Sequence, residues 1–116
     1  MEITVSDFGD IAKRVTLVGR LDVFGAQKIE APLEALSSAN TNIVIDLEGV
    51  TFLASNSMRV LVITAKALSC NSRKLVLLYP NPIVALALIQ SGLNRLLPIV
   101  HSEDEARAAL SSTQVV

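Results

Sequence analysis

Ile43-Val44-Ile45-Asp46-Leu47-Glu48-Gly49-Val50-Thr51-Phe52-Leu53-Ala54-Ser55-Asn56-Ser57-Met58 is the stretch whose reading decides the fold. Its first five residues, Ile43–Leu47, read as a short buried strand, apolar on both faces as a parallel strand covered by helices must be. Glu48-Gly49 reads as a turn that opens a loop carrying Val50 and Phe52. Ser55, Asn56 and Ser57 follow, and each can N-cap a helix. The pattern then predicts a strongly apolar helix from Met58 to about Leu68. A strand feeding a helix through a hydroxyl-rich cap puts Ser55 and Ser57 among free backbone N–H groups. There the positive end of the helix dipole favours negative charge.

Upstream, Ile3 and Val5 alternate with polar residues, a strand signal. Phe8-Gly9-Asp10 supplies turn chemistry, and Lys13–Leu21 reads as a second strand. The short connection predicts an antiparallel hairpin. After Asp22, Ala26, Ile29, Leu33 and Leu36 share one stripe of a helix over 25–39. Pro32 lies within it and predicts either a kink near Lys28–Glu30 or two short helices. Downstream, Lys74–Tyr79 reads as a strand. Pro82 opens a helix that runs to about Gln90, before a Ser91-Gly92 stop. Leu96–Val100 reads as a last short strand. Ser102 and Glu105 form a capping-box pattern for a final helix packed through Ala106, Ala109 and Leu110. Ser111–Val116 reads as a frayed tail. The sum is one α/β domain over residues 1–116, with an ordered core of about 2–110: a mixed, mostly parallel sheet with an N-terminal antiparallel hairpin and about four helices packed against it.

Composition bounds what such a domain does. The chain has 116 residues, 51% of them hydrophobic but only 3% aromatic, so its core is aliphatic. Ten basic residues against eleven acidic ones give a net charge of -1. That balance makes no field for nucleic acid, and aromatic stacking platforms for single strands are almost absent. Cys70 is the only cysteine and His101 the only histidine, which leaves no disulfide and no zinc set. The N-terminus lacks the pattern of a signal peptide, and the Met58 helix, interrupted by Arg59 and Lys66, is too short to span a bilayer. A cytoplasmic protein is the expectation. The five glycines form no phosphate-cradling loop, and no Gly-x-Ser-x-Gly elbow accompanies Ser55. No enzyme can be assembled from these residues, and no cofactor is implied.

On a helical wheel, Met58, Leu61, Ala65 and Leu68 form the sheet-facing stripe. Arg59 and Lys66 lie almost opposite, with Val62 and Ile63 beside them and Ser55 one turn before Arg59. One reading is that other helices cover these aliphatics. The other is a protein-docking surface, apolar with a few charges, beside a modifiable hydroxyl.

The same residues carry a resemblance. The chain resembles a STAS domain, the fold of bacterial anti-sigma factor antagonists and of sulfate-transporter tails. Members commonly show a strand, Asp-Leu, a spacer, Val-x-Phe, then Asp-Ser-Ser-Gly-Leu opening a helix. The matching residues here are Asp46-Leu47, Val50-Thr51-Phe52 and Ala54-Ser55-Asn56-Ser57-Met58. Gly19-Arg20-Leu21-Asp22, Ser91-Gly92-Leu93, Ile99 and Glu105-Ala106 extend the likeness over nearly the whole chain. It implies partner switching. An unmodified antagonist binds an anti-sigma factor that is also a serine kinase, phosphorylation at the start of the central helix dissociates the pair, and a phosphatase resets it. Matched by position, the phosphoacceptor is Ser55, with Ser57 the lesser candidate. Asp22 is placed beside the phosphorylation loop, and Asn56, Arg59, Val62, Ile63 and Lys66 complete the partner surface. Ala54 stands where members often have Asp, Asn56 replaces the second Ser and Ser57 replaces Gly. These departures keep a second reading open, a STAS docking subunit that binds the ATPase of an ABC-type lipid transporter without a phosphorylation cycle. Read by position alone, Ser55 is a plain N-cap and Asp22 and Asp46 are turn or cap residues. Whether copies of the chain associate is open.

Pro32 generates a test. If the first helix absorbs it as a kink, Pro32→Ala stabilises the fold or leaves it nearly unchanged. A thermal melt showing a loss above ~2 kcal/mol contradicts that reading, given the ~3 kcal/mol helix penalty of proline.

Overall fold

The sheet is laid down in the order of the chain. In the computed structural model, which describes residues 1–111, strands β1 (Glu2–Phe8), β2 (Ala12–Leu21), β3 (Asn42–Leu53), β4 (Leu75–Leu78) and β5 (Ile99–Val100) lie side by side in that sequence. β1 and β2 form the antiparallel hairpin, and β2 to β5 are parallel. Four helices connect or follow them: α1 (Val23–Ser38), α2 (Ser55–Ser69), α3 (Pro82–Gln90) and α4 (Glu103–Ser111). The expected α/β architecture is present. The expected tail falls, beyond Ser111, outside the described residues.

The alternation of side chains along β3 divides the core in two. Ile43, Ile45 and Leu47 point to one face, where they meet Ile29 and Leu33 of α1, Leu61 and Leu68 of α2, and Val84 and Leu88 of α3. Val44 points to the other face, with Val76 and Leu78 of β4 and with Ala106 and Leu110 of α4. β3 is thus buried on both sides, which is why its sequence is a continuous aliphatic run.

Two segments differ from their sequence readings. Glu48-Gly49 is not a turn: β3 continues to Leu53. From Thr16 to Val18 β2 advances two residues while β3 advances from Asp46 to Gly49, and a second slip lies between Gly19 and Arg20. These bulges absorb the extra β3 residues and keep the strands paired. Gly49 fits there because a Cβ would lie 2.9 Å from the Val18 side chain and 3.2 Å from the Leu17 carbonyl oxygen. The last strand is shorter than expected, since Leu93–Arg95 form a 3₁₀ turn and only Ile99 and Val100 pair. α1 spans Pro32 as one helix, so the division into two short helices does not occur.

α4 is held to its face by charge as well as by packing. Asp46 is not a strand-end or cap residue; it lies mid-strand, buried, and accepts hydrogen bonds from Arg14 Nη2 at 2.6 Å and Nε at 3.2 Å. Its other oxygen accepts from the Glu48 N–H at 3.0 Å. Arg14 Nη1 in turn donates to Glu103 of α4 at 2.9 Å. The Asp46 hydrogen bond, with the nearby Glu103 charge adding to it, raises the Arg14 guanidinium further above its ordinary range against the opposing effect of burial. The capping box then fixes the helix start: Ser102 Oγ accepts from the Glu105 N–H at 3.1 Å, and Glu105 Oε2 accepts from the His101 N–H at 3.2 Å.

Arg14→Ala leaves the Asp46 carboxylate buried without its guanidinium. Breaking a fully buried pair costs ~3–5 kcal/mol, and Arg14 retains some water contact, so a loss of ~2–3 kcal/mol is expected in a denaturant titration. A loss below ~1 kcal/mol would mean that water replaces the guanidinium without penalty.

Candidate functional site

Where β2 and β3 end together, two helices begin side by side. Leu21 pairs with Leu53, and the Ala54 N–H continues the ladder to the Leu21 carbonyl at 2.8 Å. The same carbonyl oxygen accepts from Ser57 Oγ at 2.8 Å, and Ser57 is fully buried. Ser57, the lesser phosphoacceptor candidate, is therefore closed off from solvent. Its hydroxyl ties the first turn of α2 to the end of β2, and it also reaches the Asp22 carbonyl at 3.4 Å.

Asp22 caps α1, as its position in the sequence indicates. Its Oδ1 accepts from the Gly25 N–H at 2.9 Å. Gly25 is required by the tight turn: a Cβ would lie 2.5 Å from the Arg20 carbonyl oxygen. Arg20 approaches Asp22 at 3.9 Å, too far for a hydrogen bond, and lies over the Phe52 ring at 4.4 Å from its centroid.

Ser55 differs from its reading as a cap. Ala54 occupies the N-cap position and makes no side-chain cap, so α2 starts at Ser55 rather than near Met58. Ser55 is the first helical residue, exposed, with Asn56 exposed beside it. The first turn of α2 holds no acidic residue. The free N–H groups there meet no carboxylate of their own helix, and the exposed guanidinium of Arg59 follows one turn on.

The wheel is corrected at one position. Val62 is half-buried and packs against the core, because α2 is rotated so that Leu61 and Leu68 are buried together with Thr64. Ile63 remains 56% exposed, and Lys66 is exposed near the end of the helix. Between α1 and α2 runs an open groove of about 700 Å³. Ala26, Val60 and Ile63 line it, Glu30 and Glu34 of α1 flank it on one side, and Asn56 and Arg59 of α2 flank it on the other. Lys66 and Val62 are not among its lining residues.

Three apolar residues near this end of the sheet were not singled out as site residues from the sequence. Phe24 is 73% exposed in the first turn of α1, with Val23 beside it, and Phe52 is exposed on β3. The signal was a Val-Phe pair directly after a cap, ahead of the first residue of the helix stripe. His101 is exposed and lies outside the groove. No cluster of three or more potential metal ligands occurs among the described residues, and none of their helices is long and apolar enough to cross a membrane.

The family model of the STAS domain matches residues 5–106. Among solved structures, an anti-sigma factor antagonist from Mycobacterium paratuberculosis superposes with a TM-score of 0.85 at 24% identity, over 96% of this chain and 94% of that one. An anti-sigma-factor antagonist (STAS) domain protein from Planctomyces limnophilus gives 0.79 at 21% identity, over 92% and 95%. The phosphorylated form of the Bacillus cell fate determinant SpoIIAA gives 0.70 at 17% identity, over 93% and 99%. At these identities the likeness is one of fold. No curated protein sequence matches the chain.

The buried hydroxyl yields the test here. Ser57→Ala removes one donor from a carbonyl that keeps its Ala54 partner, an expected loss of ~1 kcal/mol. Ser57→Asp places a carboxylate against two carbonyl oxygens inside the core, with an expected loss above ~3 kcal/mol. Denaturant unfolding of both variants checks the order, and an Asp variant as stable as the Ala one would show that the site opens to water.

Proposed function

The chain belongs to the STAS domain family, and within it we propose that this protein is an anti-sigma factor antagonist. It docks an anti-sigma factor that is also a serine kinase, through the start of α2 and the groove between α1 and α2. The protein acts by binding, and the partner supplies the chemistry. One observation carries the reading: Ser55 is exposed on the first turn of α2, next to a part-apolar groove, with no carboxylate in that turn.

The electrostatics make Ser55 a suitable phosphoacceptor. A phosphate there adds about -1.5 to -2 charges at the positive end of a helix, with Arg59 one turn away. The fold tolerates it. A docked partner does not, because Val23 and Ile63 line the adjoining groove and a dianion buried against them loses its water. Unmodified Ser55 binds and modified Ser55 releases, and a phosphatase restores the first state. The neighbours that share the fold include antagonists, one of them determined in a phosphorylated form, which supports the reading.

Ala54 favours a second reading. Without a carboxylate before Ser55, the same surface serves as a permanent dock for the ATPase of an ABC-type lipid transporter. Co-purification separates the two: a GHKL-type kinase supports the first, and recovery of only a transporter ATPase replaces it with the second.

Position 55 gives the quantitative test. Ser55 makes no cap hydrogen bond, so Ser55→Ala changes stability by less than ~0.5 kcal/mol. Ser55→Asp is as stable or slightly more so, since a first-turn carboxylate suits the dipole. Binding separates them. Ser55→Ala titrates against the purified partner as wild type does, and Ser55→Asp weakens by about tenfold or more, ~1.4 kcal/mol. Equal binding by Ser55→Asp and wild type removes Ser55 from the switch.

A further inference from the structure

α3 is apolar all round, and only half of it is used by the core. Its nine residues, Pro82–Gln90, include no charged side chain. Val84 and Leu88 are fully buried against the sheet. On the opposite side Ile83, Leu86 and Ile89 are exposed by 71%, 55% and 55%, three residues apart and so within a third of the helix circumference. Leu96, just past the 3₁₀ turn that follows α3, is 66% exposed. None of these four lines the groove between α1 and α2.

We propose that this face of α3 is a homodimer interface, occupied by α3 of a second copy of the chain. Area is the first argument. Four aliphatic side chains at these exposures leave on the order of 400 Å² of apolar surface in water, at the level of the largest patch of a typical monomer. A standard interface takes about 800 Å² from each partner, and homodimer interfaces are about 65% apolar. The patch therefore supplies most of the apolar core that one half of such a dimer needs.

Charge is the second argument, and it selects the occupant. A distinct protein partner is usually placed in register by complementary charges, and α3 has none to offer. A twofold axis makes that device unnecessary, because the uncharged α3 face is complementary to itself, with the exposed Arg95 beside Leu96 left at the solvated rim. Ala85 and Ala87 flank the exposed row, and small side chains there let two helices approach. A lipid surface is a poorer fit, since interfacial helices carry Lys and Arg beside their apolar face. The dimer leaves the residues of the α1–α2 groove outside its core, so one assembly presents two docking sites.

Sedimentation velocity on the purified chain tests this from about 5 to about 500 µM, a range that brackets micromolar self-association. The wild type is expected to pass from monomer to dimer within it. Leu86→Glu and Ile83→Glu, both at exposed positions, are expected to remain monomeric throughout, a loss of at least about tenfold in self-affinity, and to melt as the wild type does at the dilute end of the range, where it too is monomeric. Two substitutions guard against one of them disturbing the fold. A wild type that stays monomeric at the highest concentration overturns the proposal, including one that instead binds phosphatidylcholine vesicles. Variants of both kinds that fold and still dimerise overturn it as well, because the contact then lies elsewhere.

Discussion

The Leu21 carbonyl oxygen is the point on which the functional end of this molecule depends. It takes the Ala54 N–H as the last rung of the ladder between β2 and β3, and it takes the Ser57 hydroxyl as the first fixing point of α2. A carbonyl has two lone pairs, and both are used. Asp22, the next residue, caps α1. Within two residues the chain therefore terminates a strand, starts one helix and anchors another. The parallel register of β2 and β3 makes this compulsory, since parallel strands that end together send their helices off from the same edge. The groove between α1 and α2 is the space between two elements whose starting points are pinned to one another.

This junction also separates two serines that look equivalent in the sequence. Ser57 is drawn inward by the Leu21 carbonyl and becomes structural. Ser55 is left outside, on a helix start whose amides have no side chain to satisfy them. The difference is geometric: two residues of helix are about 200° of rotation, so one hydroxyl facing the strand ends requires the other to face away. The free N–H groups, the Arg59 guanidinium and the nearby apolar groove residues Val23 and Ile63 give that outer position an affinity for negative charge beside an apolar surface.

Much of this was legible in the residues. The hairpin, the aliphatic strand Ile43–Leu47, the span Pro82–Gln90 and the Ser102–Glu105 box each carry a local signal, and local signals survive folding. What was not legible depends on neighbours. Glu48-Gly49 looks like a turn, and only the register against Val18 makes it a bulged strand. Ser55 looks like a cap before a helix that opens near Met58, and only the Leu21 carbonyl, far away in sequence, fixes the helix start at Ser55 itself. Val62 looks exposed on an isolated wheel, and the rotation that buries Thr64 half-buries it. Phe24 and the outer face of α3 were overlooked because periodicity identifies the residues a core needs and is silent about apolar residues left over.

The strand order has a consequence for how the chain is built. Each strand from β2 to β5 docks on an edge formed by the segment before it, so the sheet can grow as the polypeptide emerges, with one helical crossover to close at each parallel step. α4 is the exception. It comes last and must cross to the opposite face, where Glu103 reaches Arg14, 89 positions back. Until α4 leaves the ribosome, Val44, Val76 and Leu78 lack its cover on that side. The nascent domain is thus a half-closed sheet whose completion waits on α4, and this is the stage at which a holdase chaperone has most to bind.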